Sequence, residues 1–386
     1  MSADAALVDA VRRIAIEVAA VHSGAVDREA RFPSETLDAL RAEGLLSAFV
    51  PARLGGRGAS LQAIADATFE LGRRCASSAM VYAMHEIQVH SIVRHHEDSR
   101  WFADYLRRVV AEQRLIASAT SEAGTGGDLG RSVAAVVADG QGEAGFEKLA
   151  TTISYGAYAD DLFTTVRRAP DAEPGDQVIV LTDAGQHELA APGTWDTLGM
   201  RGTCSPGATV RARFPVQQIL PVPFATVAGE SMVASSHLLW AQVWLGIATD
   251  AFDRARACVR DSARRNPGAP PPAALRLSEL LAELSLLRAQ VSTGLRDYLR
   301  ACEEQPGAPA TVAAAVRLNS VKIAASVQAE RVCRGALEVC GVAGYRNDSP
   351  YSVGRHLRDV MSAPLMIAND RIHQTNASLL LVAKEV

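Results

Sequence analysis

Residues 338–359 read Glu-Val-Cys-Gly-Val-Ala-Gly-Tyr-Arg-Asn-Asp-Ser-Pro-Tyr-Ser-Val-Gly-Arg-His-Leu-Arg-Asp and join two apolar helical patterns through one turn. Gly341 and Gly344 stand three residues apart behind the acidic helix end at Glu338, and an aromatic residue, a proline and an Arg358-Asp359 pair follow. Glycines in such a turn let a phosphate group approach bare backbone that a Cβ would otherwise shield. The turn therefore points to a phosphate-bearing ligand.

Composition narrows the class. The chain has 386 residues, 48% hydrophobic and 21% charged, which is ordinary for a globular enzyme of two or three domains. Its net charge of -4 comes without a Lys/Arg block, so nucleic acid is not an expected partner. The N-terminus has no basic region leading into an apolar one, which predicts no signal peptide. The longest apolar stretch, 238–252, is broken by Gln242 and Asp250, so no membrane span is expected. Six cysteines at 75, 204, 258, 302, 333 and 340 form no Cys-x-x-Cys, which suits reduced thiols in the cytoplasm. No metal site is expected either: His85 and His90 are five apart and leave different helix faces, so the His-Glu-x-x-His spacing is not met.

The pattern divides the chain into three. Residues 1–114 read as a helical domain: Leu7, Val11, Ile14, Val18 and Val21 form one helix face, Ser34 is placed to cap a second helix that Gly44 ends, and helical spacing resumes from 61 to 114. Residues 115–224 read as a small β domain, with short β-type runs at 133–138, 162–166, 178–182 and 209–216. Residues 225–386 return to helix. Leu277, Leu280, Leu281, Leu284, Leu287, Val291 and Leu295 keep three-and-four spacing, and 312–337 repeats it with many alanines, as in a helical bundle. These faces exceed what one bundle needs to bury, so part of them is expected at a subunit interface.

Four segments carry a resemblance to acyl-CoA dehydrogenases. The 338–359 turn resembles that family's Gln-x-x-Gly-Gly-x-Gly-Tyr … Pro-x-x-x-x-x-Arg-Asp segment, which holds the diphosphate of FAD from a neighbouring subunit. Ser121-Glu-Ala-Gly-Thr-Gly-Gly127-Asp128 matches in length the loop Thr-Glu-Pro-x-Ala-Gly-Ser-Asp that lines flavin and thioester. Thr152-Ile-Ser154-Tyr-Gly156 resembles Trp-Ile-Thr-Asn-Gly, whose threonine donates to flavin N5, and Leu198-Gly-Met-Arg-Gly-Thr203 is close to a structural turn of the family. The resemblance implies an α+β, mostly α fold: an N-terminal helical domain, a middle β domain and a C-terminal four-helix bundle. It implies FAD as cofactor, a homodimer or homotetramer, and cofactor contacts at Ser121, Gly127, Thr152, Ser154, Arg264, Glu338, Gly341, Val342, Gly344 and Asn369. Three departures stand out. Gly127 lacks the family's serine hydroxyl, Thr152 replaces a flavin-covering tryptophan, and Arg264 survives from an Arg-x-x-Phe-Gly motif whose aromatic residue is gone.

The resemblance also locates the expected catalytic base, and the base is missing. The family's glutamate register reads Ile367, followed by Ala368 and Asn369, and the alternative register used by some members reads Ser236. A positioned base is worth about 100- to 10,000-fold in rate, or roughly 3–5 kcal/mol of barrier. Simple dehydrogenation is therefore expected to fail unless His237 or His373 serves instead. The resulting expectation is an FAD-dependent oxidoreductase acting on an acyl-CoA or acyl-carrier thioester, using molecular oxygen as an oxygenase or oxidase. A dehydrogenase with a relocated base and a non-catalytic acyl-CoA-binding relative are the alternatives. Retention of the flavin-facing hydroxyls of Ser121 and Ser154 favours an enzyme.

Overall fold

The computed structural model of the chain describes residues 2–96, 99–268, 270–304 and 311–383. Helix α1 (Ala3–Ile14) starts where Ser2 Oγ accepts the Ala5 N–H, and it buries Leu7, Val11 and Ile14. A π-helical turn at Ala15–Ala19 then joins it to α2 (Ala20–Glu29). The wider turn rotates the following residues out of register, so Val21 of the expected stripe is 69% exposed. In α3 (Ser34–Ala42) the cap position belongs to Pro33, and Ser34 is the first helical residue, not the cap. Gly44, with φ of +69°, follows that helix. Helices α4 (Leu61–Gly72), α5 (Ala76–His95) and α6 (Arg100–Glu112) complete this part. Most of α5 is buried along its length, which makes it the central helix of the first part.

Seven strands follow: β1 (Ile116–Ala119), β2 (Val137–Ala138), β3 (Glu143–Ala150), β4 (Asp161–Arg167), β5 (Gln177–Asp183), β6 (His187–Ala190) and β7 (Ala208–Pro215). They form a three-stranded sheet, β1-β4-β5, and a four-stranded antiparallel sheet, β2-β3-β7-β6. In the first sheet β1 runs parallel to β4, with Ile116 opposite Asp161, while β4 and β5 are antiparallel, with Phe163 opposite Leu181. In the second, Phe146 of β3 faces Ala212 of β7. Only the end of the expected 133–138 run pairs as a strand, with an isolated bridge from Ala135 to Arg167.

Helices resume with α7 (Phe224–Val227), and a second π turn at Ala228–Met232 leads into α8 (Val233–Arg265). The long α9 (Ala273–Glu304) and α10 (Val312–Cys340) pack with α8, and the shorter α12 (Gly354–Val360) and α13 (Asn369–Leu380) lie on α10. Helix α11 (Val342–Tyr345) is a single turn after α10. On α9 the residues Leu280, Leu284, Leu287, Val291 and Leu295 are buried, whereas Leu281 points outward, half exposed. Helix α8 also packs on α4 and α5, so the N-terminal helices and the bundle share one apolar core.

Candidate functional site

A cavity of about 980 Å³ forms where α5, the sheet loops, the start of α8 and the α12–α13 connection meet. Each part contributes for a local reason. Helix α5 turns Met80, Met84, Ile87 and Gln88 to the cavity at three-and-four spacing. The second π turn brings Ala228 and Met232 to the wall just ahead of Ser236 and Trp240. Six of the seven methionines in the chain line this space: Met80, Met84, Met200, Met232, Met361 and Met366.

Ser121, Gly127, Thr152, Ser154, Ser236 and Ile367 all reach the cavity. Ser121 Oγ accepts the Thr152 N–H (3.1 Å) and donates to Thr152 O (2.9 Å), tying two loops together. Ser154 Oγ lies 2.9 Å from Ser205 Oγ, whose single proton it shares as an acceptor with Thr203 O and Thr203 Oγ1. Ser236 Oγ donates back to Met232 O at the end of the π turn (2.6 Å). Trp195, which donates through Nε1 to Met200 O (3.3 Å), places an indole in the lining although Thr152 has replaced the family's tryptophan.

Ile367 carries a φ of +47°, a left-handed conformation that β-branched residues avoid. Its turn is held from below by Lys322, which donates to Ile367 O (2.9 Å), Ala363 O (3.2 Å) and Asn369 Oδ1 (2.7 Å). Lys322 is fully buried, and burial pushes its pKa down to about 8. Asn369 also donates through Nδ2 to Ser326 Oγ (3.0 Å), so its side chain serves this scaffold.

The two candidate histidines lie elsewhere. His237 is buried, with Nε2 3.1 Å from Asn319 Oδ1, and burial pushes its pKa down to about 4. Asn319 in turn donates to Asn376 Oδ1 (2.7 Å), so His237 belongs to a polar contact between α8, α10 and α13. His373 is on the exposed side of α13, outside the lining. Arg264, Glu338, Gly341, Val342 and Gly344 do not line the cavity of this chain either. Arg264 pairs with Asp261 (3.0 Å); Glu338, Gly341 and Val342 are exposed; Gly344 packs against Cys340.

The Arg358-Asp359 pair acts as a clamp. Arg358 is paired with Asp27 of α2 and donates through Nε to Leu198 O (3.1 Å). Asp359 Oδ1 accepts the Met200 N–H (2.7 Å), and burial pushes its pKa up to about 6. Together they fasten the 198–200 turn, a cavity wall, onto α12.

Among the described residues, the lining holds two ionisable side chains, Arg358 and Arg371, and no Asp, Glu or His. Its volume, lining hydroxyls, glycine loop and apolar slot fit a flavin ring. Buried Gln88 and Gln177 are in the lining, and the Oε1 atom of each has no protein partner. Sequence reasoning missed the methionine wall, both glutamines and Arg371. The four-residue spacing of Met80 and Met84 is the one local signal for any of them.

Known proteins share this domain order and fold. Residues 2–113 match the N-terminal domain of acyl-CoA dehydrogenases, and residues 227–373 match their C-terminal domain. The probable FMNH2-dependent monooxygenase SfnC of Pseudomonas putida is 26% identical over 366 residues, covering 91% of this chain and 89% of that protein. The probable acyl-CoA dehydrogenase YngJ of Bacillus subtilis is 24% identical over 367 residues, covering 90% of each. FMN-bound TdsC from Paenibacillus sp. A11-2 shares the fold with a TM-score of 0.82 at 20% identity, covering 98% of both chains. A helical first part, two central sheets and a helical last part around a flavin-sized cavity, with both family domains matched, place the chain in the acyl-CoA dehydrogenase family of flavin-dependent oxidoreductases.

Proposed function

We propose that this enzyme uses molecular oxygen, as a flavin-dependent monooxygenase or oxidase, and does not desaturate saturated acyl-CoAs. One observation carries the reading: the cavity lining holds no carboxylate or imidazole among the described residues, and Ile367 stands in the base's register. Without a proton acceptor in reach, removal of an α proton loses a factor of about 100 to 10,000.

A bound reduced flavin supplies electrons for activating oxygen. The chain's own residues do the rest. The Ser154 hydroxyl and the Ser121–Thr152 pair would hold the polar edge of the ring. The methionine wall and Trp240 exclude water and adapt to an apolar substrate, because thioether side chains are unbranched and polarisable. That substrate is an aromatic or branched acyl thioester, or a free apolar molecule of similar shape.

FMN is the cofactor of this reading. The adenosine-contacting aromatic residue is absent, Arg264 is occupied by Asp261, and both SfnC and TdsC bear FMN in their descriptions. FAD, which the 338–359 turn suggests, is the alternative. A homodimer or homotetramer is supported by the exposed apolar Val342 (75%) and Tyr345 (76%) beside Gly341. There the 338–345 segment of one subunit would close the cavity of another. A cytoplasmic location fits six cysteines that form no disulfide.

The test compares oxygen uptake by the flavin-reduced enzyme with anaerobic flavin bleaching by straight-chain acyl-CoAs. Rapid oxygen consumption is expected, with negligible bleaching in the wild type and bleaching raised on the order of 100-fold in Ile367→Glu. Fast bleaching of the wild-type enzyme would overturn the proposal.

A further inference from the structure

We propose that Arg371 is the phosphate anchor of the cavity, taking the place of the hydroxyl that Gly127 lacks; this rests on the flavin reading above. Two cationic side chains line the cavity. Arg358 is already engaged by Asp27 and Leu198 O. The guanidinium of Arg371, in the first turn of α13, has no ion pair and no hydrogen bond among the described residues. An arginine left without an acid at a cavity wall is set up to meet an anionic ligand, and its planar fork matches the oxygens of a phosphate.

Its surroundings give the ligand a shape. The guanidinium lies on the Gly126–Gly127 backbone. A Cβ built at Gly126 would be 3.3 Å from Nη2, and one at Gly127 would be 3.4 Å from Nε and 3.6 Å from Cζ. Both glycines have positive φ, +63° and +82°, so a side chain there would be strained. The bare loop backbone and the arginine thus stand side by side, and the cation lies where the hydroxyl at 127 is missing. Gln177, 3% exposed, joins the same wall by donating through Nε2 to Leu129 O (2.9 Å). Its Oε1 has no partner, which leaves an acceptor for a ligand hydroxyl in the same cavity. A cation, a hydroxyl acceptor and bare backbone at one wall, with methionines elsewhere in the lining, complement a sugar-alcohol phosphate attached to a ring. The ribityl phosphate of a flavin has that chemistry.

The decisive experiment titrates the flavin-free, full-length protein with riboflavin, FMN and FAD, following quenching of flavin fluorescence. Wild type, Arg371→Ala and Arg371→Lys are compared at low and high salt. Arg371→Ala should weaken FMN binding by about 10- to 100-fold, the range for a charge-assisted bond. Riboflavin, which lacks the phosphate, should bind within about twofold of wild type, since Arg371 has no partner in the protein to lose. Arg371→Lys should fall between, and high salt should erase part of the difference. Unchanged FMN affinity in Arg371→Ala overturns the proposal, as does an equal loss for riboflavin and FMN. An unchanged flavin affinity with a raised KM for an anionic substrate would also overturn it and reassign Arg371 to that substrate. Wild-type protein that binds none of the three flavins would sink the flavin reading itself.

Discussion

Gly199→Ala is expected to break the clamp that shapes one wall of the cavity. A Cβ at Gly199 would sit 2.1 Å from Arg358 O, 2.3 Å from Arg358 C and 2.6 Å from Asp359 N. Ordinary contact begins near 3.4 Å, so the two backbones must part by more than about 1 Å, and no rotamer change relieves backbone on backbone. Gly199 lies outside the positive-φ region, which makes the penalty steric rather than conformational. Parting them stretches the Met200 N–H to Asp359 bond and the Arg358 to Leu198 O bond. Overpacking of this kind costs about 1–3 kcal/mol, and an orphaned buried N–H costs about 1–3 kcal/mol more. For a chain of this length the unfolding entropy is roughly 0.8 kcal/mol per degree. A loss of about 3 kcal/mol therefore lowers the melting temperature by about 4 °C. Flavin affinity should fall in step, because Leu198, Gly199 and Met200 line the cavity. Asp359→Ala attacks the same clamp from the other side, so the double variant should lose less than the sum of the single losses. Scanning fluorimetry and flavin titration read all three. A Gly199→Ala protein that melts within 1 °C of wild type and binds flavin equally, or full additivity with Asp359→Ala, would refute the clamp.

Two further perturbations separate scaffold from chemistry. Burial holds the folded-state pKa of His237 at about 4, below its ordinary value near 6.5. Its contribution to stability is therefore fully present above about pH 6.5 and lost as pH falls towards 4; His237→Gln should flatten the acid limb of stability by about 1.4 kcal/mol per pH unit in that window. Urea unfolding at pH 4.5, 5.5 and 6.5 measures this slope, and activity at pH 7.5 should stay within about threefold of wild type; a collapse of activity with unchanged slope would restore His237 as a base. Leu287→Glu puts a carboxylate at a fully buried position of α9 and should cost at least about 3 kcal/mol, whereas Leu281→Glu on the half-exposed side should leave the melting temperature alone. Sedimentation velocity of Leu281→Glu then reports on assembly, and a normal profile would remove that side of α9 from the subunit interface.

What the sequence discloses depends on whether a residue's partners are side chains or backbone. The long helices were legible because their apolar stripes repeat on one face, and the first stripe failed at Val21 only where an unannounced π turn rotated it. Strand β3 was not legible. It carries Glu147 and Lys148, and Lys148 is buried because Thr165 O (2.7 Å) and Thr165 Oγ1 (3.1 Å) of the neighbouring sheet accept its protons. Lys322 is the same case inside an alanine-rich helix: two of its three acceptors are main-chain carbonyls, which carry no residue identity to read. The Arg358-Asp359 pair was visible as a motif, but besides the Asp27 ion pair its contacts are Leu198 O and Met200 N, again main chain. Ile367 shows both sides of this rule. That it cannot take a proton follows from its identity. That it persists at φ +47°, where strain of about 1–3 kcal/mol is usual for a residue other than glycine, follows from Lys322 beneath it and from the Asn369 N–H to Pro364 O bond (2.9 Å) that closes the turn. The buried lysine thus fixes the turn over the cavity independently of which side chain occupies position 367. This is why Ile367→Glu probes the missing base and leaves the scaffold in place.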